Sequence, residues 1–348
     1  MNNVKAISLF SGAGGDTLGM IKAGINVVGY VEIDENAIDT HEKNFKNCRL
    51  IGTDITKIPD EVFEKFKGGI DIIFGGFPCQ SFSHGGKKKA TDKRGFLFEE
   101  FVRCAKIIKP AVIIGENVKG LLSRKMTDKT LFIDKIVSDF TSIGYNMKIS
   151  VFNMKNYGIP QDRERILIYG TKKDSSLSFN LNNLQQNEKV YLRDILQLSL
   201  HNSLEIKKEN IKKLFPPDCL ILTEEYKQTG KPPTNLVKCV DKDEISFKKR
   251  SKSTYSCIVD KNDFSRTILS TYGRMPRLFV SFIKNEKFFL RPYTIRELAL
   301  IQGFPEDFVF SGNDLQKTTQ IGNAIPPLFV EKITRYILGI MKGDIIEI

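Results

Sequence analysis

Four side chains in this 348-residue chain stand out by type and place: Cys79, Glu116, Arg163 and Arg165. Cys79 follows the apolar run Ile70 to Phe74 and a Gly75-Gly76 break, within Gly-Phe-Pro-Cys-Gln-Ser-Phe-Ser, so a thiol is expected just past the end of a buried strand. Strand ends in α/β sheets are where ligands collect, and a thiolate readily attacks carbon near neutral pH. A lone cysteine is usually just a buried one, so Cys79 needs company to carry an argument. Glu116 supplies some of it. It lies in a second apolar strand, Val112 to Val118, and a carboxyl at that strand end could protonate a heterocycle that the thiolate attacks. Gln161-Asp-Arg-Glu-Arg165 precedes the strand Ile166 to Gly170. A two-residue period puts Arg163 and Arg165 on one side of an extended segment, where they could fix an anionic or carbonyl-rich substrate. Taken singly, each of these charges also reads as a surface ion pair.

A second group of residues describes a pocket. Phe10-Ser11-Gly12-Ala13-Gly14-Gly15 turns the apolar run from Val4 into the helix-compatible stretch Asp16 to Ala23, so free N–H groups at the helix start face a carboxylate or phosphate. The spacing matches neither G-x-G-x-x-G nor a P-loop. Some twenty residues on, the strand Val27 to Val31 ends in Glu32, placed to accept from a ribose hydroxyl pair, with Ile33 next to it. A third strand, Leu50 to Gly52, leads to Asp54 as an acceptor for an exocyclic amine and to Ile55 as an apolar wall for a flat ring. Such a pocket suits an adenosine with a carboxylate-bearing tail, and S-adenosylmethionine fits it better than a dinucleotide.

The elements that must hold these residues divide the chain at about residue 171. Residues 1–170 alternate apolar strands with amphipathic stretches at Asp34 to Phe45, Glu99 to Ile108 and Thr130 to Ile143, the pattern of a doubly wound sheet. Across residues 171–290 that alternation fails: polar runs, Pro and Gly clusters and the basic Lys248-Lys249-Arg250-Ser-Lys252 predict an irregular, loop-rich β domain. Phe179, Leu220 to Leu222, Ile258-Val259 and Ile268-Leu269 give it the core material a linker lacks. From Arg291 helical periodicity resumes, with Thr294 as N-cap and Glu297 its capping-box partner. Residues 291–348 are expected to end in an amphipathic helix, Leu328 to Met341, packed back on the first domain.

Composition narrows the partner. Lys and Arg number 53 against 41 Asp and Glu, a net charge of +12, which suits a polyanion. Residues 171–290 hold 22 basic and 14 acidic side chains, so +8 of the excess lies in about a third of the chain. Cys48, Cys79, Cys104, Cys219, Cys239 and Cys257 form no C-x-x-C, and with three histidines no metal site is expected. No signal-type segment or membrane-length apolar run occurs, so a reducing, intracellular setting is expected.

In order along the chain, Phe10 to Gly15, Glu32, Gly52-Thr-Asp-Ile55, Gly75 to Phe82, Glu116-Asn-Val118, Gln161-x-Arg163-x-Arg165, Arg291 to Pro305 and Gln320-Ile-Gly-Asn-Ala-Ile-Pro-Pro327 resemble the motifs of the DNA (cytosine-5) methyltransferases of bacterial restriction-modification type. The resemblance spans residues 4 to about 340. It implies an α/β S-adenosylmethionine-dependent methyltransferase fold with a doubly wound mixed sheet (1–170), a smaller β-rich target recognition domain (171–290) and a C-terminal segment (291–348). Cys79 becomes the nucleophile at C6 of a flipped-out cytosine, Glu116 a partner of N3, and Arg165, supported by Arg163, a ligand of O2. Phe10 to Gly15, Glu32, Ile33, Asp54, Ile55, Pro78, Leu97, Asn323 and Ala324 become cofactor residues, with S-adenosylhomocysteine as product and no metal.

Double-stranded DNA is then the implied partner, met by Gln80, Ser83, Lys87, Lys88, Lys89 and Arg94 in a basic, glycine-hinged loop, by Lys248, Lys249 and Arg250, and by Thr271, Tyr272, Gly273 and Arg274 at a recognition-loop border. A monomer in a bacterial or phage-infected cytoplasm is expected, without membrane contact, linked genetically to a cognate restriction endonuclease. Departures from the motifs are Asp16, where an apolar residue is usual, Leu300, where an arginine is usual, and Ile33, where an aromatic sometimes stands. A tRNA cytosine-5 methyltransferase is a second reading, although Ser270-Thr-Tyr-Gly stands where its Cys-Phe-Thr is usual. A silent DNA-binding regulator is a third, disfavoured because Cys79, Glu116, Arg163 and Arg165 are all present.

Overall fold

The computed structural model describes residues 4–78, 97–126, 128–196, 204–206, 239–241, 244–245, 257–274, 276, 278–284 and 287–344. Apolar runs rich in Ile and Val form the strands β1 (Lys5–Leu9), β2 (Asn26–Val31), β3 (Arg49–Gly52), β4 (Ile72–Gly75) and β5 (Val112–Val118), all parallel to one another. Beyond β5 lie β6 (Tyr145–Asn153), the two-residue β7 (Gln161–Asp162) and β8 (Glu164–Lys172). The sheet order is β3-β2-β1-β4-β5-β8-β6, with β8 inserted antiparallel between β5 and β6.

Alternation along each central strand divides the core into two layers. Ala6, Ile72, Phe74, Val112 and Ile114 face one side, while Ile7, Ile73 and Ile113 face the other. Both faces must therefore be covered, which is why these strands read as continuous apolar runs. Helices α3 (Asp60–Glu64), α4 (Leu97–Ile108) and α5 (Phe132–Ser142) cover one face through Phe63, Phe98, Phe101 and Phe140. On the other face lie α1 (Gly15–Lys22) and α2 (Glu35–Asn44), the latter capped by Asp34 accepting from Ala37 N at 3.0 Å.

The C-terminal part rejoins that second face. Helix α6 (Ile295–Ile301) starts at the expected capping box of Thr294 and Glu297, and α7 (Asp314–Asn323) and α8 (Pro327–Met341) follow. Helix α8 lies against α1 so closely that an ideal Cβ on Gly19 would fall 2.5 Å from Val330 Cβ and 2.6 Å from the Pro327 carbonyl. Only a residue without a Cβ permits that approach.

Between the two parts, β12 (Cys257–Ile258), β14 (Leu278–Lys284), β15 (Lys287–Pro292) and β9 (Leu204–Ile206) make a four-stranded sheet, and β10 (Cys239–Asp241) pairs with β11 (Glu244–Ile245). β13 (Ser265–Arg266) pairs in parallel with β7, tying this region to the strand that leads into β8. Residues 173–196 do not stand apart from the first layer: Phe179 stacks on Tyr169 with ring centroids 5.6 Å apart, and the Lys148 ammonium donates to its carbonyl.

Candidate active site

The glycine turn crosses the tips of β1 and β2. Phe10 takes φ +56° and Gly12 and Gly14 take +55° and +81°, so three residues of a five-residue stretch lie in the left-handed region. Phe10 bears its conformational cost without glycine's freedom, a kind of strain that persists where a site fixes the backbone. Glycine is also obligatory at Gly15, whose Cβ would strike the Ile325 carbonyl, and at Gly14, where it would strike Phe45 and His41. Ser11 and Ala13 are buried beneath the turn.

Glu32 fastens the turn. Its Oε2 accepts from Gly12 N at 2.7 Å, and its Oε1 accepts from Ile33 N and Asp34 N, both at 2.8 Å. Burial nevertheless raises the Glu32 carboxyl above its ordinary value, against those three N–H groups. Next to it Ile33 is 66% exposed, a large apolar surface at the mouth of the pocket. Asp54 caps a short 3₁₀ turn, Ile55–Lys57, with Oδ1 accepting from Thr56 N and Oγ1 and Oδ2 3.2 Å from Lys57 Nζ. The hydrogen bonds from Thr56 hold its carboxyl below the usual range. Ile55 turns its side chain into the core, and its carbonyl accepts from Arg103 at 2.8 Å. Pro78 and Leu97 are half-buried, Asn323 is exposed, and Ala324 is buried. An acceptor on β2, a second on the β3 exit, an exposed apolar face and a glycine turn at a helix start fit the adenosine, ribose and carboxylate of S-adenosylmethionine.

On β5 and β8 Glu116 and Arg165 are paired, Oε1 to Nε 3.0 Å, each with a side chain 13% exposed. Antiparallel pairing of β5 with β8 makes this meeting, since Val118 lies opposite Arg165. Burial raises the Glu116 carboxyl against the opposing pull first of Arg165 and then of Arg163, which favours its carrying or sharing a proton. Its Oε2 lies 3.7 Å from where a Cβ would stand on Gly76. Asn117 Nδ2 donates to Phe77 O at 3.0 Å and so fixes the chain two residues before Cys79. Asn117 is a positioning residue that its spacing did not reveal, for its role depends on β4 and β5 being neighbours.

Arg163 and Arg165 both act on the Glu116 carboxyl, but Arg163 engages a different set of partners. The strand breaks at residue 163, between β7 and β8, so the two-residue period does not run through it. Its guanidinium is 1% exposed and donates to three carbonyls, Ile268 at 3.2 Å and Gly322 and Ala324 at 3.1 Å each. Its Nε, also buried, has no hydrogen-bond partner among the described residues. Arg163 thus ties together the main chain at 268, 322 and 324, two residues from Arg165 in sequence.

Tyr272 is likewise turned inward: its hydroxyl donates to Leu278 O at 2.6 Å and accepts from Tyr293 N at 2.8 Å. With that side chain buried, Thr271 and Arg274 are the exposed members of the 271–274 border, and Gly273 packs against Leu315 and Thr318. Cys79, Gln80, Ser83, Lys87, Lys88, Lys89, Arg94, Lys248, Lys249 and Arg250 lie outside the described residues. Burial pushes the thiols of Cys48 and Cys104 up to about 12, so neither competes as a nucleophile. Among the described residues no cluster of three or more His, Cys, Asp and Glu could hold a metal, and no helix is long and apolar enough to cross a membrane.

The same architecture and order of motifs recur in known proteins. A solved structure of a prophage-encoded Escherichia coli protein, described as a DNA modification methyltransferase, superposes with a TM-score of 0.69 at 25% identity, covering 97% of this chain and 99% of that one. The type II methyltransferase M.FnuDI of Fusobacterium nucleatum is 33% identical over 336 residues, 93% of this chain and 91% of its own. M.MthTI of Methanothermobacter thermautotrophicus, also a type II methyltransferase, is 32% identical over 347 residues, 98% and 99% of the two chains. The family model for C-5 cytosine-specific DNA methylases matches residues 4–339, and the chain belongs to that family.

Proposed function

We propose that this enzyme methylates C5 of a flipped-out cytosine within one double-stranded DNA sequence, through a covalent bond between Cys79 and C6, as the modification half of a restriction-modification system. The observation that carries this reading is the Glu116–Arg165 pair at 3.0 Å, next to Gly76 and the Asn117-anchored segment that leads directly into Cys79. The carboxyl and guanidinium of that pair suit N3 and O2 of a cytosine, and Cys79, next in sequence after the Phe77-Pro78 segment, is assigned to C6.

C5 of cytosine is a poor nucleophile until a group adds at C6. The Cys79 thiolate supplies that group, and the ring electrons displaced toward N3 are met by the proton that Glu116 holds or shares. Arg165 accepts the role of fixing O2, while Arg163 keeps Arg165 in place. S-adenosylmethionine, when bound across Glu32, Ile33 and the glycine turn, provides the electrophilic methyl group. C5 then loses its proton, the sulfur–C6 bond breaks, and Cys79 is released as thiolate. A base stacked in the duplex cannot reach these groups, so extrusion precedes chemistry at a cost of a few kcal/mol. Lys87 to Lys89 and Arg94 are assigned to the phosphates, and Thr271 and Arg274 to the base edges.

DNA carrying 5-fluorocytosine should form a denaturation-resistant adduct with the enzyme in the presence of cofactor, because fluorine blocks loss of the C5 substituent. The Cys79→Ala variant should form none. An adduct that survives this substitution removes Cys79 from the reaction, and transfer of labelled methyl to tRNA but not to DNA replaces the substrate.

A further inference from the structure

A closed ring of hydrogen bonds lies where three parts of the chain meet. Ile268 N donates to Gln161 Oε1 at 3.0 Å, Gln161 Nε2 donates to Gln302 Oε1 at 2.7 Å, and Gln302 Nε2 donates to Ala324 O at 2.5 Å. Arg163 closes the circuit, donating to Ala324 O at 3.1 Å and to Ile268 O at 3.2 Å. Both glutamines are fully buried. Their orientations are fixed by the partners, since turning either amide over would set donor against donor or acceptor against acceptor. Burying two amides and a guanidinium brings little stability beyond what apolar side chains of the same volume would give. What the ring provides, with both glutamine amides engaged and only the Arg163 Nε left without a partner among the described residues, is one defined geometry.

Each segment held by the ring leads to a different working part. From Ile268 the main chain runs to the exposed Thr271 and Arg274, passing α7 so closely that a Cβ on Gly322 would lie 2.6 Å from Ser270 N. From Arg163 the chain reaches Arg165 and its partner Glu116 in two residues. After Ala324 comes Ile325, whose carbonyl abuts Gly15 of the glycine turn.

We infer that Gln302 and Gln161 are positioning residues that carry the placement of the 268–274 border to the Arg165–Glu116 pair, so that correct seating of a duplex sets the base pocket for methyl transfer. The inference rests on the function proposed above. Neither glutamine touches the base, and both act through main chain and Arg163.

Steady-state and single-turnover kinetics on a duplex containing the site found by bisulfite sequencing test it. Gln302→Leu should lower kcat by about 10- to 100-fold, the loss that a small misplacement of a reacting group produces. Calorimetric affinity for cofactor and direct duplex affinity should each stay within about threefold of the parent. Because the two glutamines work as one unit, Gln161→Leu combined with Gln302→Leu should cost no more than the worse single change. If Gln302→Leu does not fold, Gln302→Glu, which keeps the acceptor for Gln161 and loses the donor to Ala324, provides the same reading. Additive losses, or weakened duplex binding with kcat intact, overturn the relay and leave a purely structural ring. If the parent enzyme methylates DNA and the variants match it, this inference alone falls; if the parent methylates no cytosine, the proposed function falls and takes the relay with it.

Discussion

The two groups of site residues, those assigned to the cofactor and those assigned to the base, are built by different means. The cofactor end is the more local: Phe10 to Gly15, Glu32 and Asp54 each stand at the exit of one parallel strand, and their shape comes from left-handed turns and from main-chain N–H groups at most twenty positions away, with the Ile325 carbonyl against Gly15 as a distant contact. At the base end the parts are distant in sequence. Glu116 meets Arg165 across an antiparallel pair, and Arg163 is held by carbonyls at 268, 322 and 324. A local site can be formed by each turn separately, whereas a convergent site exists only when the sheet, the recognition region and the C-terminal helices are all in place. Substitutions at the base end should therefore disturb catalysis with little effect on cofactor binding, and those at the cofactor end the reverse.

The largest effect is expected at Glu116. Glu116→Gln keeps the size of the side chain and a hydrogen-bonding oxygen but removes the exchangeable proton, and should lower the rate of methyl transfer by about 10²- to 10⁴-fold. Cofactor affinity measured by calorimetry should be unchanged. An equal fall in cofactor affinity would break the separation of the two ends.

How far each end could be read from sequence follows from the same contrast. An apolar run leading into an acidic residue announces a strand with a carboxylate near its exit: Glu32 and Asp54 follow β2 and β3, whereas Glu116 lies two residues inside the end of β5, and α1, α2, α4, α5, α8 and the Thr294–Glu297 cap are legible as well. Nothing in a period of two or 3.6 announces that β8 will insert between β5 and β6, nor that the strand will break at Arg163. The pairing of Gln161 with Gln302, 141 positions apart, was illegible for that reason. The family resemblance puts Tyr272 at a recognition-loop border as a DNA contact, but its hydroxyl meets Leu278 and Tyr293 in the fold. Ile55 was read as a wall because it is apolar, and being apolar it joined the core.

The next effect in size concerns Asp16, the departure from the family's motif. Its carboxylate is buried behind the glycine turn, accepting from Ser8 Oγ at 2.5 Å and from Thr17 N at 2.8 Å. Burial pushes it up to about 7 from 3.8, with a smaller contribution from Glu32. In the unfolded chain Asp16 loses its proton near 3.8, so between that pH and about 7 the folded state holds the extra proton. Stability then falls as pH rises through this window and levels off above it. Asp16→Asn, which never ionises, should match the parent near pH 4 and exceed it at pH 8 by up to about 4 kcal/mol, the value of a three-unit shift. Denaturant titrations at the two pH values check this, and a gap that is the same at both would mean that Asp16 stays ionised in the fold.

The smallest effect tests the cofactor end itself. Glu32 has two tasks in this arrangement: it fastens Gly12, Ile33 and Asp34 through their N–H groups, and it is assigned to the ribose hydroxyls. Glu32→Gln retains oxygen Oε1 as an acceptor for the neighbouring N–H groups but puts an amide nitrogen in place of Oε2 or loses the charge at the ribose. Glu32→Ala loses both tasks. Losing a hydrogen bond to a charged group costs about 1.5–3 kcal/mol, so Glu32→Ala should weaken S-adenosylmethionine binding by about 10-fold or more. Glu32→Gln should fall between alanine and the parent. Single-turnover methylation at saturating cofactor should be close to that of the parent for both, because Glu116 and Arg165 are positioned by a different set of contacts. If the single-turnover rate collapses while cofactor affinity holds, the glycine turn and the base pocket are one unit, and the contrast between a local and a convergent end is wrong.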